Sequence, residues 1–491
     1  VGIVGGGIAG LYTALLLKRA DPDISFHIFE GTERVGGRVL THYFSHEKDQ
    51  YFEAGAMRIP DSAAHRITTD LVAYLNEHND RDRPKDDRHV ELIKYVLKSQ
   101  GNQTYVNGKI IDRGVSASGG ESLSAKAIGW DVPAFYATST AADLLKNAIQ
   151  KLMDDFPLKR ALDDGLEKFE SVFRALAQKW DTFPFRAYLQ HVANYPPSVI
   201  DFIETMESQT NEFALSVPEM IMQNLDFGEE NWKTIANGMT CLPEAMLAMI
   251  GNEHVTFGAR VNSVQPKTCR GVDFVEITAT GYNGKIVAAF DKVVLAIPPA
   301  ALKMIIARPI WTPAKEMAIR SMHIELLYKM GMRFKKRFWE LVENPSRGGQ
   351  TTTDLPIRWI VFPSYGIQSS ANDGSKGPEG VLLIYAWMTD AATWLPLTPL
   401  ERRSLALDAL EKVYKGRLAD LEDPPNPNLT VTDLLIETFD VVWSSSTATG
   451  AAMFLPGQWL DRFDAYRASE NDGRIFFAGE HLSFHHAWIS G

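Results

Sequence analysis

The turn Gly5-Gly-Gly-Ile-Ala-Gly10 constrains this chain more than any other segment. Val1-Gly-Ile-Val4 ahead of it reads as a short buried strand. Behind it Ile8, Leu11, Leu15 and Leu16 recur at helical spacing as far as Asp21-Pro22. Residues 24–29 read as a second strand ending at Glu30, twenty positions after Gly10. Gly5, Gly7 and Gly10 fit G-x-G-x-x-G in the strand–turn–helix–strand setting that gives the motif meaning. The first glycine allows the turn, the second admits a pyrophosphate against backbone, and the third packs helix on strand. The helix N-terminus offers amide donors and partial positive charge to phosphate. An acid at Glu30 suits ribose hydroxyls and repels a 2′-phosphate, which argues against NADP.

At the other end, residues 475–478 read as a last strand entering Gly479-Glu480. A dinucleotide domain opened by the first residues and completed by the last has its other domains inserted within it. The length of 491 residues supports two or three domains. Residues 61–120 are mixed and polar, and 121–230 read as mainly helical. Strands are expected at 255–264, 274–280 and 288–297, the last ended by Pro298-Pro299, and a second strand-rich block at 322–388. A helix at 400–414 and a Pro/Asn/Asp-rich loop at 421–429 follow. The expected class is mixed α/β (α+β): a discontinuous dinucleotide-binding domain (1–60, 235–320, 443–491), a β-sheet-rich substrate domain (61–120, 321–442) and a helical domain (121–234).

A net charge of −11 argues against a nucleic-acid partner, and no apolar run is long enough for a membrane span. Cys241 and Cys269 make neither a disulfide framework nor a metal-ligand spacing, and both read as buried small hydrophobes. Asn102-Gln-Thr104 and Asn428-Leu-Thr430 fit the glycosylation pattern, which matters only in a secreted protein. The chain opens directly in a strand without methionine and stops at Gly491 in what reads as the start of a helix, so a fragment of a longer product is expected. Secreted and intracellular locations both stay open.

Gly31-Thr-Glu-Arg-Val-Gly-Gly-Arg38 follows Glu30 directly. The glycine pair Gly36 and Gly37 suggests backbone close to a flat ligand, and Arg38 a cation near phosphate or flavin. Together with the glycine turn and Glu30, this stretch resembles the N-terminal signature of the flavin amine oxidase family. Further matches are Gly258-Ala-Arg-Val261, Val293-Val-Leu-Ala-Ile-Pro-Pro299 and Phe477-Ala-Gly-Glu480. The resemblance implies FAD, held by the backbone of Val261 at the adenine and with Glu480 near the ribityl or phosphate portion. No cysteine lies in the C-terminal flavin segment, so the FAD is expected to be non-covalent.

Glu53-Ala-Gly-Ala-Met-Arg-Ile-Pro60 resembles the L-amino-acid oxidase branch, whose arginine forks onto the substrate α-carboxylate. This makes Arg58 the carboxylate clamp, since guanidinium geometry suits a bidentate carboxylate, and places Gly55, Ala56 and Met57 beside the flavin. The alternative for Arg58 is an ion pair beneath the flavin. Residues 349–356 and Gly380-Val-Leu-Leu-Ile-Tyr385 also look like this branch and imply that the Tyr385 hydroxyl is a second carboxylate ligand; otherwise Tyr385 is a core tyrosine. Lys329, nine residues before Phe338, matches the family lysine that holds a water near flavin N5; otherwise it is a solvent-facing strand lysine. In the final His481-Leu-Ser-Phe-His-His-Ala-Trp-Ile-Ser-Gly491, the resemblance makes Trp488 an aromatic wall, the Ala487 carbonyl an acceptor for the substrate amine, and Ile489 a flavin neighbour. It places no histidine base at His485 or His486. Three histidines there also raise a metal reading, but no carboxylate or cysteine partner is evident, so no metal is expected.

The implied reaction is oxidative deamination of an L-amino acid: hydride passes from Cα to flavin N5, the imino acid is hydrolysed to 2-oxo acid and ammonia, and O2 becomes peroxide. Rivals are an amine or polyamine oxidase, a decarboxylating amino-acid monooxygenase, and a flavoprotein-like binding module without turnover. Trp387, Phe454 and Trp488 suggest hydrophobic or aromatic substrates, and Trp387 would reshape the pocket if it points inward. Glu207 or Glu212 would instead favour lysine or arginine if either faced the pocket. The resemblance also implies a homodimer or higher homo-oligomer.

Overall fold

Five short runs of mainly apolar residues, far apart in the chain, form one parallel sheet. Its order is Val255–Thr256, His27–Phe29, Gly2–Val4, Val293–Leu295, Ile475–Phe477, and every neighbouring pair is parallel. The computed structural model describes residues 1–79, 89–112, 123–207, 210–367, 378–422, 424–445 and 449–491. The boundary expected between residues 120 and 121 lies outside the described residues.

Both faces of this sheet are covered, as a parallel sheet requires. On one side Ile3 and Ile28 pack with Leu11 and Leu15 of the helix Ile8–Ala20 and with Leu242 and Met246 of the helix Cys241–Ile250. On the other, Val4, Phe29 and Leu295 meet Val275, Ile277 and Ala279 of a three-stranded antiparallel sheet. That sheet runs Arg260–Cys269, Val272–Gly281, Gly284–Phe290.

Two expected strands are divided here. Residues 255–264 break at Gly258, whose φ is +61, so Val255–Thr256 joins the parallel sheet and Arg260–Cys269 the antiparallel one. Residues 288–297 split in the same way around Asp291 and Lys292. Unbroken β-forming sequence marks strand but not the sheet it serves, so pattern alone hides the change of partner. The second strand begins only at His27, not at residue 24.

A larger seven-stranded sheet runs Leu435–Val442, Leu327–Phe334, Gly380–Trp387, Trp359–Val361, Gln350–Thr353, Gln103–Val106, Lys109–Asp112. Its two long central strands alternate strictly. Tyr328, Met330, Met332 and Phe334, with Leu382, Ile384 and Ala386, pack on the helix Pro399–Tyr414. Lys329, Tyr385 and Trp387 therefore project from the opposite face. The helix Pro399–Tyr414 starts with a capping box in which Thr398 and Glu401 satisfy each other's backbone donors, worth about 1 kcal/mol.

The described residues between 123 and 228 form helices and no strand, among them Ala141–Asp155, Leu166–Trp180, Pro197–Met206 and Val217–Phe227. Thr140 and Ser216 cap two of them. Among the described residues, no helix is long and apolar enough to cross a membrane.

Three local readings change. Asn102 is buried, with its side chain bonded to Ser99, Gly348 and Gln350, so the folded chain does not offer it for glycosylation. Cys269 is exposed and Cys241 half-buried; neither is a core residue. The final segment is a single 3-10 turn, Glu480–Leu482, followed by turns rather than by the start of a helix.

Candidate active site

The two glycine loops lie against each other. The Gly36 N–H donates to Gly6 O at 2.9 Å, and Gly7 and Gly36 form a parallel bridge. A Cβ on Gly10 would sit 1.9 Å from Gly5 O, so only glycine lets this helix meet its strand. Gly36 has φ +99 and no room for a Cβ beside Val39 O at 2.8 Å. The helix Ile8–Ala20 starts at Gly7 without a side-chain cap, leaving its first N–H groups open toward a cavity of about 1360 Å³.

Charged side chains fix this cradle. Glu30 accepts from the Gly6 N–H at 2.7 Å, and from the Thr32 N–H and hydroxyl at 2.8 and 2.7 Å. Arg34 donates to the carbonyls of Val35, Gly37 and Val39, pinning the second loop from inside. Arg38 Nη1 reaches Glu480 Oε1 and Gly450 O, both at 2.7 Å. Glu480 also accepts from the N–H groups of Ala452 and Ala487. Burial alone would raise its pKa, but Arg38, His481, His486 and the Ala487 N–H together hold it down at about 2. Ala487 has φ +65, a conformation unusual for alanine, which turns its N–H onto Glu480.

Of the residues singled out in the sequence, Gly5, Gly7, Glu30, Gly31, Gly36, Gly37, Arg38, Gly55, Ala56, Met57, Arg58, Val261, Lys329, Tyr385, Trp387, Gly479, Glu480, Ala487, Trp488 and Ile489 all line this one cavity. Gly10 does not; it sits behind the turn, where its packing role puts it.

Away from the cradle, the cavity is closed by the front face of the seven-stranded sheet. Lys329 and Tyr385 are register partners on adjacent strands. Buried Lys329 donates to Gly55 O and Glu53 O, and its Nζ lies 4.6 Å from the Tyr385 ring centre. Desolvation, then the nearby Arg58, lower its pKa to about 7 against the opposing pull of Glu53. Desolvation also raises Tyr385 to about 12, although Arg58 pulls it down. Trp387 does face the site, with its ring 4.3 Å from that of Trp359 and 4.9 Å from that of Tyr385.

Arg58 is held by its backbone. Ile59–Pro60 pairs with Trp232–Ile235, and the Thr234 hydroxyl donates to Met57 O at 3.1 Å. The buried guanidinium sits among the rings of Phe227, Trp359 and Trp232, at 5.0, 5.4 and 5.6 Å from their centres. Its Nη1 has no hydrogen-bond partner, and among the described residues no carboxylate forms an ion pair with it. A positively charged aromatic box with an open donor is suited to a planar anion. Phe227, Trp232 and Trp359 are absent from the sequence reading, because they come from three segments that only packing brings together. Trp488 continues the wall, 5.3 Å from Phe227 and 5.7 Å from Trp232.

The histidines after Glu480 have carboxylate partners that the sequence did not reveal. His485 Nδ1 lies 2.9 Å from Asp226, His65 Nε2 lies 3.2 Å from the same oxygen, and His486 Nε2 lies 2.8 Å from Glu219. The absence of a carboxylate near these histidines is thereby corrected. His65, Asp226 and His485 place three possible ligand atoms within 4.8 Å of one another. Burial would lower the pKa of His486, but Glu219 raises it. Phe454 is fully buried against Trp459 and Phe463 and does not line the cavity, which removes one of the three aromatics taken as pointing to an apolar substrate. Glu207, Glu212 and Glu219 do line it.

The chain matches the flavin containing amine oxidoreductase family over residues 8–491. It is 29% identical to a Dictyostelium discoideum protein whose name describes a putative bifunctional amine oxidase; the match covers 100% of this chain and 45% of that protein, so the chain spans less than half of it. It is 27% identical to L-amino-acid oxidase 4 of Hebeloma cylindrosporum, over 100% of this chain and 79% of that one. A putrescine oxidase solved with putrescine bound shares the fold, with a TM-score of 0.67 at 16% identity over 100% of this chain and 95% of the other.

Proposed function

The chain belongs to the flavin containing amine oxidoreductase family, and from that premise we propose that it is an FAD-dependent L-amino-acid oxidase. FAD is the cofactor, and the cradle fits it: the open helix N-terminus suits the pyrophosphate, Glu30 the ribose, and the glycine pair at 36 and 37 a flat ring. When bound, FAD supplies a two-electron acceptor that O2 reoxidises.

One observation carries the choice of an amino acid over a simple amine: the buried guanidinium of Arg58 with its open Nη1. A buried cation without a counter-ion is costly, and a substrate α-carboxylate supplies one. An amine lacking a carboxylate leaves that cost in place. Arg58 grips the carboxylate, the Tyr385 hydroxyl adds a second hydrogen bond, and the Ala487 carbonyl takes the α-amine. These contacts aim the Cα–H in one direction and admit one enantiomer. Trp387 and Trp488 exclude bulk water. The α-amine reacts in its neutral form, so turnover rises with pH through an ionisation of the amine or of a neighbouring group. Lys329, neutral above about pH 7, holds the water that hydrolyses the imino acid. The sum is L-amino acid + O2 + H2O giving 2-oxo acid, ammonia and H2O2.

The test is direct. Purified protein is yellow and releases peroxide and 2-oxo acid with L- but not D-amino acids. Turnover confined to amines without a carboxylate, or formation of an amide product, overturns the assignment.

A further inference from the structure

Glu212 is the most anomalous group in the cavity wall. The residue is 4% exposed, lines the cavity, and forms an ion pair with no described residue. Two of the acids around it are committed elsewhere, Glu219 to His486 at 2.8 Å and Glu204 to Arg186 at 3.0 Å, and a third, Glu325, has only the His323 imidazole 3.3 Å away. The guanidinium of Arg358 lies within electrostatic reach but is engaged by Asp390 at 3.1 Å. Gln223 supplies a neutral hydrogen bond only. Burial, then Glu325 and Glu219, push the Glu212 carboxyl up to about 8, the mark of an acid that lacks a cation. Glu212 and Arg58 both act electrostatically on Tyr385, in opposite directions, and all three line the same cavity.

We propose that the substrate is an L-amino acid with a cationic side chain, of the lysine and arginine class, and that Glu212 is the counter-ion for its distal charge. The inference rests on the amino-acid reading above and adds its side-chain preference. Arg58 and Glu212 then form a two-ended gauge: the α-carboxylate completes one buried charge and the side-chain cation the other. Trp387, Trp359 and Tyr385 form an aromatic group in the wall of the same cavity, suited to the methylenes of such a side chain. An uncharged side chain leaves Glu212 buried beside two other carboxylates, where it stays protonated and gains nothing from the ligand.

The experiment compares kcat/KM for L-lysine and L-arginine with L-norleucine, which has the methylenes of lysine without the charge, and with L-leucine and L-phenylalanine. The cationic substrates are expected to exceed L-norleucine by about 100-fold, and Glu212→Gln to reduce the lysine-to-norleucine ratio by about 30-fold. Because the variant could fail to fold, the wild-type holoenzyme is also titrated with 6-aminohexanoate and with hexanoate, read from the flavin absorbance. Binding of 6-aminohexanoate at least about 10-fold tighter supports the counter-ion. Wild-type turnover of L-norleucine or L-leucine equal to or above that of L-lysine overturns the proposal and leaves the amino-acid assignment standing. Oxidation of diamines with no turnover of any amino acid overturns both.

Discussion

The two ends of the cavity are built on opposite principles. In the cradle each charge is answered within the chain: Glu30 by Gly6 and Thr32, Arg34 by three carbonyls, Glu480 by Arg38, Ala452 and Ala487. At the end proposed to bind substrate, ionisable groups are buried and left open: Arg58 Nη1 has no hydrogen-bond partner, and among the described residues Glu212 forms no ion pair. The cradle is pre-formed for a cofactor that stays. On the proposed reading, a ligand of matching charge completes the groups at the other end, and selectivity would come from that completion.

The sharpest way to break this contrast is Arg58→Ala. L-amino-acid kcat/KM is expected to fall about 10³-fold with flavin content unchanged, measured by peroxide release and by the visible absorbance of the purified variant. Full activity would mean that the carboxylate binds elsewhere. Arg38→Met tests the other end. It leaves Glu480 buried without its cation, costing about 3 kcal/mol, and should lower both the melting temperature and retained FAD, whereas KM for the amino acid in the remaining holoenzyme changes little. Loss of substrate affinity without loss of flavin would erase the distinction between the two ends. Tyr385→Phe removes one hydrogen bond to a charged group and should raise KM about 10-fold, with flavin binding intact.

The smallest effect is on stability. Burial raises Glu53 and Glu212 to about 8, so the folded protein keeps protons that the unfolded chain releases. Their contribution is full below about pH 4.5 and is lost as pH rises toward 8, while Lys329, lowered to about 7, offsets the loss only above pH 7. Burial lowers His481 to about 4, which opposes this fall up to about pH 6.5, but two acids outweigh one imidazole. The holoenzyme's melting temperature should therefore fall by a few degrees between pH 5 and pH 7, and Glu53→Gln should flatten that slope. A melting temperature that rises over the same interval would contradict the raised pKa of the buried Glu53 and Glu212.

The same division explains what the sequence revealed. The cradle is made of local patterns: a strand, a glycine turn, a helix, an acid at fixed spacing, then a glycine pair. Each is legible because a few neighbouring residues carry the geometry. Arg58, Lys329 and Tyr385 were legible only through resemblance to a family. The aromatic box around Arg58 was not legible at all, because Phe227, Trp232 and Trp359 come from a helix end and two sheets. Asp226, which joins His65 to His485, was hidden for the same reason. Residues 255–264 carry β-forming sequence throughout yet serve two sheets, since a single positive φ at Gly258 redirects the chain without disturbing that pattern.

The Arg38–Glu480 contact spans 442 residues of sequence. During synthesis, at about 5–20 residues per second, the glycine loop waits tens of seconds for the acid that fixes its arginine. Through that interval Arg38 has no Glu480 to engage, and the strand Val293–Leu295 lacks its last neighbour, Ile475–Phe477. The C-terminal wall of the flavin site is therefore the last part of it to be made. A ribosome stalled before residue 475 carries a chain with a complete dinucleotide signature and an unfinished flavin site.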